Sequence, residues 1–154
     1  MAAVDDWMDK LAIQERIHRY SDAANRASWD EVEDCYAPDS YWECLAPNEL
    51  RYEGPAAIRE GVMSFIATAD NFIQTVHNTV IDLQGDGRAT ARSTLQEIVR
   101  SDGKFDVLIW GISYDELVKD ADGVWRFAGR QFRGVYLDMS TMGGSATMTR
   151  DRLD

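Results

Sequence analysis

Four long runs of strand-forming residues, 74–84, 88–101, 104–119 and 124–138, fill the second half of the chain. They are separated by Gly85-Asp86-Gly87, Asp102-Gly103 and Asp122-Gly123. Gly and Asp tolerate the positive φ that a two-residue hairpin turn demands, so each break predicts a tight reversal rather than a crossover. The runs therefore read as an antiparallel meander. Strands longer than about ten residues exceed the usual length and twist too strongly to lie flat, so such a sheet curls and offers a concave face.

The first half supplies elements to cover that face. From Asp5 to about Ser28, Trp7, Leu11, Ile13, Ile17, Tyr20 and Ala24 recur at three- and four-residue steps and predict a helix. "WDEVEDCYA" predicts a second short helix with Trp29, Val32 and Tyr36 on one side, stopped by Pro38 and Asp39. "SYWECLA" reads as a strand and "NELRYEG" as a loop or short strand. "GPAAIREGVMSFIATA" predicts a helix with Pro55 in its first turn and Ile58, Val62, Phe65 and Ile66 on the buried face. The fold class is α+β: helices on a curved, mostly antiparallel sheet, enclosing a cone with a pocket. One domain is expected over residues 1–138. The tail 139–154 has no period and is expected to be flexible, with Met139, Met142 and Met148 suited to covering an apolar ligand.

A chain of 154 residues with 45% hydrophobic content fits one domain with a core. The net charge of −11 opposes binding to nucleic acid or to an anionic membrane surface, because the 16 basic residues are scattered. With no long apolar run and no basic-then-apolar start, a cytoplasmic protein without a membrane span is expected. Cys35 and Cys44 lack metal-site or redox spacing and read as reduced core or near-core residues. No phosphate loop, nucleophile elbow or zinc cluster is present, so neither metal nor cofactor is expected. Five Trp, five Phe and six Tyr exceed what a small core requires and are consistent with a lined cavity.

The candidate base is His77, in "QTVHNTVIDL". Strict alternation puts Thr75, His77, Thr79, Ile81 and Leu83 on one face of the strand. A pocket-wall imidazole would look like this, and so would a core histidine bonded to Thr. Trp42, Tyr41, Trp110 and Tyr114 lie on strands with apolar residues on both faces. Core packing is the default for each, and a Tyr hydroxyl there is able to face a developing oxyanion. Glu43 and Glu97 sit on strands that border the pocket. Arg130 is expected to pair with Asp115 or Glu116 across adjacent strands.

The order of these elements, with "IQERIHRYSDAANRASWDEVEDCYAPDSYWE", "RYEGPAAIRE" and "DGVWRFAGRQF", resembles the SnoaL-like branch of the nuclear transport factor 2-like superfamily. The resemblance covers roughly residues 8 to 137 and implies a cone-shaped α+β barrel with an inward apolar pocket. In pattern it is nearest to scytalone dehydratases and hexachlorocyclohexane dehydrochlorinases, which eliminate without a cofactor. It implies that His77 matches a sheet histidine and Trp42 a pocket aromatic, while Asn25 stands where those enzymes carry an Asp.

An Asn orients an imidazole but cannot stabilise its charged form, so the replacement is chemically serious. Asp22, three residues earlier on the helix, and the strand residues Glu43 and Glu97 are the alternative orienters, and His18 reads as a surface residue or a local partner of Asp22. The expectation is a lyase or isomerase acting on a small apolar, aromatic or polycyclic compound. The site is expected to hold His77, Asn25 and Asp22, with Tyr20, Tyr41, Trp42, Trp110 and Tyr114 around the ligand. The alternatives are a non-catalytic binding protein using the same pocket, and a structural small subunit of a ring-hydroxylating dioxygenase. A homodimer through the sheets is expected.

Overall fold

The computed structural model describes residues 2–45, 49–101 and 105–144. Three helices, α1 (Ala2–Arg26), α2 (Trp29–Asp34) and α3 (Pro55–Ile66), accompany six strands: β1 (Tyr36–Cys44), β2 (Leu50–Glu53), β3 (Asn71–Gly85), β4 (Arg88–Ser101), β5 (Phe105–Lys119) and β6 (Trp125–Asp138). The strands form one sheet in the order β2-β1-β6-β5-β4-β3. All neighbours are antiparallel except β1 and β6, which run parallel. The sheet stays open, with β2 and β3 as its edges.

Turn chemistry sets the first reversal of the meander as expected, whereas Asp102-Gly103 lies outside the described residues and β5 joins β6 through the longer stretch 120–124. Between β3 and β4 the two loop residues Asp86 and Gly87 both have positive φ, 49° and 67°, the requirement for a turn whose twist matches the strands it joins. The first strand starts earlier than its sequence suggests, at Tyr36, and holds Pro38. Proline survives there because the β1–β6 register shifts between Tyr36 and Tyr41, so it removes no ladder bond.

The core forms where α1 crosses the sheet: Ile13, Ile17, Tyr20 and Ala24 are buried against residues such as Leu117 and Phe127. Trp7 and Leu11 do not join them; they are 67% and 56% exposed. At about 100° per residue, positions 7 and 11 lie more than 100° round the helix from the centre of the 13/17/20/24 stripe, so α1 carries two separate apolar faces. Of the α3 residues expected to be buried, Ile58, Val62 and Ile66 are, whereas Phe65 is half-exposed. Among the described residues no helix is long and apolar enough to cross a membrane.

Candidate functional site

A cavity of about 110 Å³ lies between α1, α3 and the inner face of the sheet. Its walls are apolar: Trp42 stacks on Tyr52 at 5.8 Å, and Phe72, Leu95, Ile109 and Phe132 complete the lining. Gly61 of α3 permits Tyr52 to come this close, since a Cβ at that position would sit 2.4 Å from the Tyr52 ring. Four polar side chains enter this apolar space: Gln74, Glu97, Ser113 and Arg130.

Glu97 is buried at the base of the cavity, and burial pushes its carboxyl above the usual carboxylate range. Gln74 and the Arg130 charge act in the opposite direction. The Gln74 amide donates to Glu97 Oε1 at 2.8 Å and so fixes the carboxyl in place. The backbone of Gln74 is in turn clasped by Asn25 of α1.

Arg130 is 2% exposed and held through Nε and Nη2. Its Nε and Nη2 donate to the two Asp115 oxygens at 2.8 and 3.0 Å, and Nε also donates to Ser113 Oγ at 3.1 Å. The guanidinium lies over the rings of Tyr20 and Phe127, at 4.4 and 4.3 Å. Burial keeps the Tyr20 hydroxyl protonated, its pKa pushed up to about 12 by desolvation against the lowering effect of the Arg130 charge. Phe127 and Arg130 point the same way because a bulge at Ala128 breaks the alternation of β6 opposite Glu116 and Leu117. Among the described residues, no cluster of three or more His, Cys, Asp or Glu side chains is placed to hold a metal ion. Both cysteines are free; Cys44 lines the cavity and Cys35 is buried elsewhere in the core.

Residues 5–131 match the SnoaL-like domain model. The chain belongs to the SnoaL-like family. Its fold is that of a putative scytalone dehydratase from Novosphingobium aromaticivorans, with 21% identity and a TM-score of 0.80 over 92% of this chain and 93% of that one. The hexachlorocyclohexane dehydrochlorinase LinA-type3 from Novosphingobium barchaimii is 16% identical, with a TM-score of 0.80 over 95% and 98% of the two chains. A nuclear transport factor 2-like protein from Novosphingobium aromaticivorans is 18% identical, with a TM-score of 0.73 over 87% and 86%. No curated protein sequence matches.

In this SnoaL-like chain the expected residues separate. Tyr20 and Trp42 line the cavity. His77 does not: it is exposed on the outer face of the sheet, its ring stacked on Trp110 at 4.8 Å. Alternation counted through Thr79, Ile81 and Leu83 fails here because of a second bulge. On β3, Val76 pairs with Leu95 and Asn78 with Thr94, which leaves His77 as the extra residue. Phe72, Gln74 and Val76 therefore face in before the bulge, and Thr79, Ile81 and Leu83 after it.

Asn25 reaches Gln74 rather than His77. Asp22 is exposed and pairs with Arg26. Trp110 and Tyr114 are corrected to the outer face, because alternation along β5 turns Ser113, Asp115 and Leu117 inward. Tyr41 also lies outside the cavity, beneath the Arg51 guanidinium and within 3.4 Å of Glu116.

Of the expected flap, only residues 139–144 are described, and neither Met139 nor Met142 is among the cavity-lining residues. Met139 is exposed, and the Met142 amide donates to Asp106 at 2.8 Å, away from the lining residues. Met148 lies outside the described residues. Gln74 and Ser113 were missed in the sequence; the signal for Gln74 was a lone polar residue at the inward step between Phe72 and Val76.

Proposed function

We propose that the chain is a cofactor-independent lyase or isomerase for a small, largely apolar compound, in which Glu97 rather than His77 removes the proton. One observation carries this reading: a buried carboxyl, raised in pKa and oriented by Gln74, opens onto a largely apolar cavity. A carboxylate freed of water is a stronger base than one in solution, and a fixed orientation avoids the cost of arranging it during reaction. The named relatives, a putative dehydratase and a dehydrochlorinase, agree with proton removal as the first step. The working form is a homodimer joined through the outer sheet face, where Ile73, Ile98 and Tyr136 are exposed.

A nitrobenzisoxazole tests the chemistry without the natural substrate being known. A base takes the ring C–H proton while the N–O bond breaks, giving a coloured cyanophenolate. Turnover should rise with pH as Glu97 ionises and should fall at least a hundredfold in Glu97→Gln. Equal rates in the two proteins would exclude Glu97 as a base. Tight binding of apolar ligands with no turnover would select the alternative, a non-catalytic binding protein. That alternative draws on Asn25, whose amide is spent at both ends on the Gln74 backbone.

A further inference from the structure

The first turns of α1 stand clear of the rest of the chain: every residue from Val4 to Met8 is exposed. This end is tied to the body at Asp9, whose Oδ1 accepts from Lys119 Nζ at 2.7 Å and from Trp125 Nε1 at 2.9 Å. It is apolar on one side only. Val4, Trp7, Met8 and Leu11 are 65%, 67%, 61% and 56% exposed. At about 100° per residue they share an arc of about 100°, centred about 160° round the helix from the buried 13/17/20/24 stripe. No charged residue between Val4 and Leu11 falls within that arc. The four side chains present on the order of 450 Å² of apolar surface, a size at which a patch on a monomer is commonly functional. Two helical turns that pack on nothing are marginal by themselves, so a partner against this face supplies packing that the chain lacks.

We propose that the occupant is the same face of a second copy, with the two α1 ends antiparallel about a two-fold axis between residues 7 and 8. A two-fold contact has to be self-complementary. The spacing Val4-Trp7-Met8-Leu11, in steps of three, one and three, reads the same in both directions. The rotation therefore sets Val4 against Leu11 of the second copy, and Trp7 against its Met8, a thioether on an aromatic ring. Glu15, exposed one turn beyond Leu11, comes to the start of the other α1, where the helix dipole is positive. A parallel pair would instead set Glu15 against Glu15 and crowd the two bodies at one end. Because the core stripe faces the opposite way, each body in the antiparallel pair lies on the far side of its own helix. Two such patches bury roughly 900 Å², below the ~1,200 Å² at which stable interfaces begin, so the contact is weak. It joins copies, or sheet-face dimers, at concentrations on the order of 0.1–1 mM. It depends neither on the cavity nor on Glu97.

Cross-linking reads the register. With a rise of about 1.5 Å per residue, the two-fold axis places a cysteine at position 8 about 1.5 Å along the axis from its copy. A cysteine at position 11 lies about 10 Å from its copy, beyond the ~7 Å Cα separation that a disulfide spans. Under mild oxidation at about 0.5 mM, Met8→Cys should form a linked pair about tenfold faster than Leu11→Cys, with the bridge mapped to position 8 in both copies. The unaltered chain, with Cys35 and Cys44, gives the background rate. Trp7→Glu added to Met8→Cys should return the rate to that background. Trp7→Glu alone should abolish the growth in sedimentation coefficient that the unaltered chain shows between about 10 µM and 0.5 mM. Trp7, Met8 and Leu11 are each more than half exposed, so these variants keep the fold. Equal rates at positions 8 and 11, a Met8→Cys rate that Trp7→Glu leaves unchanged, or sedimentation of the unaltered chain that is constant over that range would overturn the pairing.

Discussion

Asn25 and Gln74 hold each other as two strands of a ladder would: the Asn25 Nδ2 donates to the Gln74 carbonyl at 2.9 Å, and the Gln74 N–H donates to Asn25 Oδ1 at 2.7 Å. A side-chain amide thus satisfies both backbone groups of the residue that orients Glu97. Ser21 adds a third bond to the same carbonyl at 3.1 Å. The end of α1 is in this way fastened to the edge strand β3 at the cavity wall.

Asn25→Asp should therefore destabilise the protein. A carboxylate still accepts from the Gln74 N–H, but it loses the donor and sets a negative charge against the Gln74 carbonyl. The expected loss is about 1–3 kcal/mol in a denaturant titration, with no gain in nitrobenzisoxazole turnover. A stable variant with increased turnover would show that a carboxylate at this position works as part of a catalytic pair.

Glu97→Gln should stabilise the protein at neutral pH. The folded carboxyl holds its proton to higher pH than the unfolded one, whose ordinary value is 4.5. Between the two values the native state binds more protons, so the wild type loses stability as pH rises through that window. Gln remains neutral and escapes the loss. Its Tm should exceed the wild-type value at pH 7 and approach it near pH 4. A difference that is the same at both pH values would mean that burial does not govern Glu97.

Most of the architecture was legible in the sequence because it depends on local chemistry. The Asp-Gly turns, the Pro55 start of α3 and the 13/17/20/24 stripe each act over a few residues. The site was legible in part. Trp42 and Tyr20 line the cavity, and the pairing of Arg130 with Asp115 follows from their opposite charges on neighbouring strands; Glu97 also lines it, though its strand alone did not place it. What failed was parity. One bulge at His77 and one at Ala128 each move every later side chain to the other face, and a bulge is set by pairing with a distant strand rather than by its own residues. Counted back from Ile81 and Leu83, His77 would face the cavity if the first bulge were absent; counted on from Phe127, Arg130 would face outward if the second were absent.

Ala27→Gly should raise stability. Ala27 closes α1 with φ 58°, its N–H bonded to the Ala24 carbonyl and the Ser28 N–H bonded to the Ala23 carbonyl. This left-handed closing position strains an L-residue and favours glycine. A gain of about 1 kcal/mol is expected in the denaturation midpoint at unchanged m-value. A loss would indicate that chain entropy in the unfolded state outweighs the relieved strain.

The proposed sheet-face dimer should respond to charge. Ile73 pairs with Ile98, and Ile98 with Leu108, making an apolar row on the outer face beside Trp110 and Tyr136. Ile98→Lys would set an unpaired ammonium in the middle of that row, so sedimentation should shift to the 17.4 kDa monomer while circular dichroism is unchanged. A wild-type chain that sediments as a monomer at micromolar concentration would remove the dimer.

His77→Ala separates the two bases most directly. A histidine that removed the substrate proton would lose nearly all turnover on truncation, whereas an exposed ring stacked on Trp110 contributes only its contact, about 0.5–1.5 kcal/mol. Nitrobenzisoxazole turnover in His77→Ala should stay within twofold of wild type, with a small fall in Tm. Trp110→Ala should lower Tm by a comparable amount, and the double variant should fall by less than the sum of the two, because each single change already removes the stack. A hundredfold loss of turnover in His77→Ala with Tm intact would return the proton transfer to the imidazole and require the β3 bulge to open in the working enzyme.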